Sequence, residues 1–182
     1  MKAGTILHRF TARDGREVIL RTPKWEDLDN FLEYINSLVE EGADIVRDKK
    51  VSRDQEADWL GTMLARLEKD ERFSLVAEVD GKAISISELW RKKGYQNHVG
   101  ELCIVIHRKY RNIGIGTQLM KSLISQAKTI DLKILTLEVY STNKRAIHLY
   151  EKMGFKESGR IPKGIFRNGK YIDEVIMIKE IE

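Results

Sequence analysis

The segment from residue 104 to residue 117 constrains the fold more than any other part of the chain. An apolar run, Ile104-Val105-Ile106, leads into a basic loop and then to Gly114 and Gly116. The apolar run predicts a buried strand, and the residues after the glycines predict a helix. Such a turn gathers the unpaired N–H groups of the first helical turn and the positive end of the helix dipole at one place. The segment therefore predicts a phosphate-binding site.

Side chains in the same loop support an anionic ligand. Arg108, Lys109 and Arg111 add positive charge, and glycine lets a backbone approach a phosphate closely. The glycines alone are equally consistent with an ordinary helix-capping loop, because Gly-x-Gly is a weak pattern. A P-loop is excluded because no Lys-Ser/Thr pair follows the glycines. The dinucleotide fingerprint is excluded because its third glycine would stand at Leu119.

A second motif lies downstream, where residues 137–155 read LEVYSTNKRAIHLYEKMGF. Together with Arg111-x-x-Gly114-x-Gly116, it resembles two motifs of the GNAT superfamily of N-acetyltransferases. These motifs are Q/R-x-x-G-x-G/A and N-x-R-A-x-x-L-Y-x-x-x-G-F. The interval between them suits one helix and one strand. The resemblance covers roughly residues 73–178, and the first seventy residues carry no diagnostic motif.

The resemblance implies acetyl-CoA as cosubstrate and no metal. In the family, the matching Asn hydrogen-bonds the pantetheine or phosphate portion of the cofactor, and the matching Tyr lies near the thioester sulfur. Here these are Asn143 and Tyr150, whose spacing places them on one helix face. Asn143 could instead cap the helix, and Tyr150 could be a core residue. The expected cofactor-binding residues are Ile104, Val105, Ile106, Arg111, Asn112, Ile113, Gly114, Ile115, Gly116, Thr117, Asn143 and Tyr150.

Two positions depart from the family pattern. Many members have Pro where Arg108 stands and Gly where Asn112 stands. Asn adopts a positive φ more readily than most residues, so we expect the turn to survive.

The family chemistry implies direct acyl transfer from the thioester to a neutral amine. A backbone N–H beside the opened central strand, of Val105 or Ile106, would stabilise the oxyanion. Tyr150 would protonate the leaving thiolate.

Glu101 is the predicted general base, because some family members carry a catalytic Glu at a nearby position on this strand. Glu88 and Glu138 are alternatives, and Glu101 could also be a solvated strand-end carboxylate. An acyl-enzyme on Cys103 is a further alternative, although a cysteine within an apolar strand is more often a core residue.

The pattern elsewhere predicts an α/β (α+β) fold of the GNAT type. Helices are expected over 25–41, with Trp25 in the buried stripe, and after a Ser52-x-x-Gln55 capping box. The order of elements predicts a mixed, mostly antiparallel sheet with helices on both faces. We expect one domain over residues 1–182, with N-terminal strands and helices over 1–72 and the acetyl-CoA-binding core over 73–182.

The composition limits the kinds of ligand and partner that the chain is expected to bind. The net charge of +4 is spread among interleaved acids and bases, which suits a small polyanion rather than a nucleic acid. The single cysteine permits no internal disulfide, and the four histidines show no metal-ligand spacing. The sequence shows no signal peptide and no apolar run of membrane-spanning length, so we expect no membrane partner and a cytoplasmic location.

These features predict an acetyl-CoA-dependent N-acetyltransferase acting on a primary amine of a small molecule, such as an amino acid, an analogue or a polyamine. The alternative is N-terminal or lysine acetylation of a protein such as a ribosomal protein, since residues 164–177 are similar to members of both kinds. A non-catalytic acyl-CoA-binding domain is the third hypothesis. A homodimer is left open.

Overall fold

The computed structural model describes residues 1–181. Its strands are β1 Ile6–Thr11, β2 Glu17–Arg21, β3 Arg72–Val79, β4 Lys82–Ala83, β5 Ser85–Arg91, β6 Val99–Ile106, β7 Ile134–Tyr140, β8 Lys156–Arg167 and β9 Lys170–Glu180. Its α-helices are α1 Leu28–Glu40, α2 Arg53–Glu68, α3 Ile115–Thr129 and α4 Lys144–Lys152. Short 3-10 turns cover Trp25–Asp27, Gly94–Gln96 and Arg108–Tyr110.

All these strands join one sheet, in the order β1-β2-β3-β5-β6-β7-β9-β8, with the short β4 paired to β3. Every pairing is antiparallel except that of β6 with β7, which is parallel. Two clusters of buried apolar side chains lie on the two faces, one beneath α3 and α4 and the other beneath α1 and α2. The predicted mixed, mostly antiparallel sheet with helices on both faces is confirmed.

The parallel pair separates after its first residues. β6 and β7 are paired only at Val99–Glu101 with Ile134–Thr136. Further along, β6 stays paired with β5 as far as Ile106, and β7 stays paired with β9 as far as Tyr140. The carboxyl ends of the two central strands therefore diverge, and a gap opens between them.

The predicted capping box and two hairpin turns show how local sequence sets backbone geometry. The hydroxyl of Ser52 accepts a hydrogen bond from the backbone amide of Gln55, and Oε1 of Gln55 accepts one from the backbone amide of Ser52, which is a capping box. The hairpin turns at Asp80-Gly81 and Asn168-Gly169 have positive φ at both central residues, as a type I′ turn requires.

One expectation about the first helix is wrong. Trp25 is 51% exposed rather than part of the buried stripe, because α1 begins only at Leu28 and Trp25 lies in a 3-10 turn. The strand β8 begins directly after Phe155 and runs for 12 residues. This strand, β8, is exposed along most of its length, so it shows no apolar alternation, and its pairing with β9 supports it instead.

Candidate active site

A cleft of about 560 Å³ lies at the gap between β6 and β7. Its walls are the end of β6 (Ile104–Ile106), the start of α3 and one face of α4, with the segment after α1 (Glu41–Ile45) across the opening. The structure brings most of the predicted cofactor-binding residues to this cleft. Those on its wall are Ile104, Val105, Ile106, Arg111, Asn112, Gly114, Gly116, Thr117, Asn143 and Tyr150.

The turn between β6 and α3 has the geometry of an anion cradle. Asn112 has a φ of 66° and Gly114 a φ of 97°, so the residue that replaces the family's usual glycine adopts the left-handed conformation. In the described part of the chain, no group accepts a hydrogen bond from the five successive amides of residues 113–117. These N–H groups form the amide row, and they lie at the positive end of the α3 dipole.

Gly116 also has a packing role. A Cβ at this position would lie 3.1 Å from Cδ2 of Leu149 and 3.4 Å from Cδ1 of Ile106. The absence of a side chain therefore lets the first turn of α3 approach α4 and β6 closely, which narrows the cleft around the amide row.

Strand register decides which amides of β6 face the gap. The His107 amide donates to the Ile84 carbonyl, and alternation along an antiparallel pair then directs the Val105 amide toward β5. The amides of Ile104 and Ile106 point to the other side, where β7 has diverged. Of the two predicted oxyanion donors, the geometry favours Ile106 over Val105.

The side chain of Arg111 is held within the protein. Its Nε donates to the Ile106 carbonyl at 2.8 Å, and its Nη2 donates to the carboxylate of Glu41, which is also an ion pair. Arg108 is more exposed, with its Nε 3.9 Å from the same carboxylate. Glu41 was missed by sequence reasoning, because its partner lies 70 residues away and no local pattern marks it.

Positive side chains surround the rest of the cleft. Arg13, Arg145 and Lys152 lie on its wall together with Arg108. Burial and the neighbouring Arg111 lower the pKa of Arg145, while Glu41 opposes this shift. A cleft with this charge suits a ligand that carries several phosphate groups.

Asn143 and Tyr150 both reach the cleft from α4. Asn143 is the N-cap of the helix, and its Oδ1 accepts from the Ala146 amide at 3.2 Å, so the capping role is real and leaves its NH₂ group to the cleft. Tyr150 is 7% exposed, packs against Phe155 and belongs to the core. Among the described residues nothing hydrogen-bonds its hydroxyl, and burial raises its pKa well above the ordinary value.

The carboxylates predicted as bases lie away from the cleft wall. Glu101 is one-third exposed, and its carboxylate is 3.7 Å from Nζ of Lys92. Glu88 is buried and accepts hydrogen bonds from Arg72 and Ser74. The pKa of Glu138 is raised by partial burial and then by the nearby Glu174 and Glu101.

Cys103 lies between Glu101 and the splayed strand end. Burial first, and the neighbouring Glu88 next, raise the pKa of its thiol to about 12. Because the thiolate is the nucleophilic form, this environment disfavours an acyl-cysteine route.

The structure contains no metal-binding group of histidine, cysteine and carboxylate side chains within residues 1–181. Over the same residues, no helix has the length and apolar character needed to cross a membrane.

Comparison with known proteins places this site in a family. A model of the acetyltransferase (GNAT) family matches residues 34–155. The chain belongs to the GNAT family. The family resemblance inferred from the two motifs is confirmed.

The names of relatives of this GNAT chain mention different substrates. Spermidine N(1)-acetyltransferase of Escherichia coli (strain K12) is 32% identical over 60% of the chain and 58% of its own length, so the chain spans little more than half of that relative. L-methionine sulfoximine/L-methionine sulfone acetyltransferase of Pseudomonas aeruginosa is 24% identical over 83% of the chain and 87% of its own length.

A solved structure shows the same fold. A putative acetyltransferase from Salmonella typhimurium, solved with its cofactor acetyl-CoA, aligns with a TM-score of 0.78 at 22% identity. The alignment covers 91% of this GNAT chain and 94% of the other chain.

Proposed function

We propose that this protein transfers the acetyl group of acetyl-CoA directly to a primary amine of a small molecule. The observation that carries the proposal is the amide row at residues 113–117, which lies beside the diverging ends of β6 and β7. The amide row would bind the pyrophosphate, and Asn143 would contact the pantetheine arm. The thioester would then enter the gap between the strands.

The thioester carbonyl would meet the amide of Ile106. This N–H group points into the gap and is fixed by the strand, so it can stabilise the developing oxyanion without reorganising. Ile104 presents a second amide of the same orientation one step deeper along β6.

Tyr150 would then protonate the departing thiolate. Its raised pKa keeps the phenol protonated at neutral pH, so a proton is available when the C–S bond breaks. Its lack of a hydrogen-bond partner among the described residues leaves the hydroxyl available for the sulfur.

Deprotonation of the amine is assigned to Glu101, acting through a chain of water molecules because its carboxylate lies outside the cleft wall. A lysine-type amine has an ordinary pKa of about 10.4, so it must lose a proton before it attacks. Glu138 is the competing base, because its raised pKa brings it closer to neutrality. Glu88 is the weaker alternative, since Arg72 and Ser74 already engage it.

The relatives' names support a small amine as acceptor, since they are named for spermidine and for amino-acid analogues. Acetylation of a protein amine is the alternative. We also propose that the protein acts in the cytoplasm, and a homodimer stays a prediction.

The test is release of free thiol from acetyl-CoA in the presence of three acceptor sets: amino acids and analogues, polyamines, and peptides matching protein N-termini. Turnover with either small-molecule set supports the proposal. Turnover with peptides alone supports the protein-directed alternative. Acetyl-CoA binding without turnover across all three sets supports a non-catalytic acyl-CoA-binding domain.

A further inference from the structure

Glu41 is a carboxylate in a cleft whose other charged groups are mostly cationic. It follows the last residue of α1, and its side chain is only 11% exposed. Its carboxylate pairs with Arg111 and lies 3.9 Å from Nε of Arg108. The mechanism proposed above makes no use of it.

The location of Glu41 is unfavourable for a negative charge in itself. A carboxylate at the carboxyl end of a helix lies near the negative end of the helix dipole. A carboxylate removed from water also needs a charged or hydrogen-bonding partner. Both costs are offset here by Arg111, so the two side chains hold each other in place.

The pair fixes the loop that leads to the amide row. Arg111 uses Nε to bind the carbonyl of Ile106, the last residue of β6, and uses Nη2 to bind Glu41. The guanidinium group thereby joins the end of β6 to the residue at which the phosphate-binding turn begins. Without Glu41, Nη2 has no partner among these contacts, and only the hydrogen bond from Nε to the Ile106 carbonyl restrains the group.

The segment that follows Glu41 is anchored on the opposite side of the cleft. The Tyr140 hydroxyl donates to the Ile45 carbonyl at 3.1 Å, and Arg167 donates to the Asp44 carboxylate at 2.8 Å. Glu41 is therefore attached through its own backbone to β7 and to the β8–β9 hairpin. Through Arg111, its carboxylate connects these anchored strands to the turn that carries the amide row.

We propose that Glu41 is a positioning residue for acetyl-CoA, which orients Arg111 so that the amide row is held in its pyrophosphate-binding geometry. This inference rests on the proposed function, because it assigns the cleft to acetyl-CoA. A purely electrostatic role would have the opposite sign, since removing an acid beside bound phosphates would strengthen binding.

The experiment compares Glu41→Ala and Glu41→Gln with Glu40→Gln, a matched control that removes the adjacent charge. Glu40 pairs with Lys50 and lies outside the cleft wall. We expect Glu41→Ala to raise the Kd of acetyl-CoA about tenfold, the usual size for loss of a charged hydrogen bond. Glu41→Gln should give a smaller increase, and Glu40→Gln none.

Two further readouts separate positioning from loss of folding. The kcat at saturating acetyl-CoA should stay within about twofold of the wild-type value, as expected when only binding is weakened. Turnover of acetyl-pantetheine, which lacks the pyrophosphate, should be the same in all variants. If Glu41→Ala does not fold, the Kd of acetyl-CoA for Glu41→Gln, compared with that for Glu40→Gln, tests the inference instead.

Acetyl-CoA binding by either Glu41 variant that equals or exceeds wild-type binding would overturn the inference, as would an equal loss with acetyl-pantetheine. Failure of the proposed function looks different, because the wild-type protein itself would then not bind acetyl-CoA.

Discussion

The proposed active site has two sides that are built differently. The cofactor side, from Ile106 to Thr117, comes from one continuous segment and presents mainly backbone N–H groups. The proposed acceptor side lies outside the cleft wall, on the face of β6 and β7 that carries Glu101, Cys103 and Glu138, and it presents side chains from different strands. A backbone site depends on the conformation of its segment rather than on the chemical nature of each side chain. A side-chain site can be changed by single substitutions, which fits a family whose named substrates vary.

The contrast predicts that the largest effect on turnover comes from Tyr150, the side chain proposed to protonate the departing sulfur. Tyr150→Phe should lower kcat about 100-fold or more, the usual range for loss of a general acid, with acetyl-CoA affinity unchanged. Thermal stability should not fall, because the hydroxyl has no partner among the described residues. The fully exposed Tyr95 provides the control substitution Tyr95→Phe. If Tyr150→Phe turns over at the wild-type rate, Tyr150 is a core residue and not the general acid.

On the cofactor side, Gly114→Asp should weaken acetyl-CoA binding about 100-fold, because a left-handed φ of 97° is strained for a residue with a side chain and the new charge repels phosphate. Calorimetric titration measures this change. Gly159→Asp is the matched control, since its Cβ would meet nothing within 4 Å. Gly114→Ala separates strain from charge. Unaltered binding in Gly114→Asp would mean that phosphate does not lie at this turn.

On the acceptor side, Glu101→Gln should lower kcat/KM for the amine about tenfold at neutral pH, a modest effect because a water chain transmits the proton. The loss should shrink as the pH approaches the pKa of the acceptor amine, where the free base is already abundant. Measuring the same pH profile for Glu138→Gln and for Glu157→Gln, an exposed carboxylate on β8, completes the comparison. A deficit confined to Glu138→Gln would transfer the base role to Glu138.

Local and long-range features of the site also differ in how well the sequence predicts them. Turn chemistry is local, so the left-handed Asn112 and the Ser52 cap could be anticipated from residue type alone. The family motifs located the cofactor side for the same reason. The Glu41–Arg111 pair joins residues 70 positions apart, and the choice between the Val105 and Ile106 amides depends on strand register. Short-range residue spacing predicts neither the ion pair nor the register, because both arise only when distant segments of the chain pack together.

The smallest expected effect on turnover concerns Cys103. With a thiol pKa of about 12, roughly one molecule in 10⁵ carries a thiolate at pH 7, so Cys103→Ala should change kcat less than twofold. A loss of a thousandfold would instead establish an acyl-cysteine intermediate.

Cys103 should nevertheless affect stability at high pH. In the unfolded chain the thiol ionises near its ordinary pKa of about 8.5, whereas in the folded protein it stays protonated up to about pH 12. Ionisation therefore favours the unfolded state over this interval, and the free energy of unfolding falls as the pH rises. Between pH 7.5 and 9.5 the contribution of Cys103 is about 1 kcal/mol. Urea denaturation at these two pH values should show a smaller loss for Cys103→Ala than for the wild-type protein, and equal losses would mean that the thiol is not buried as described.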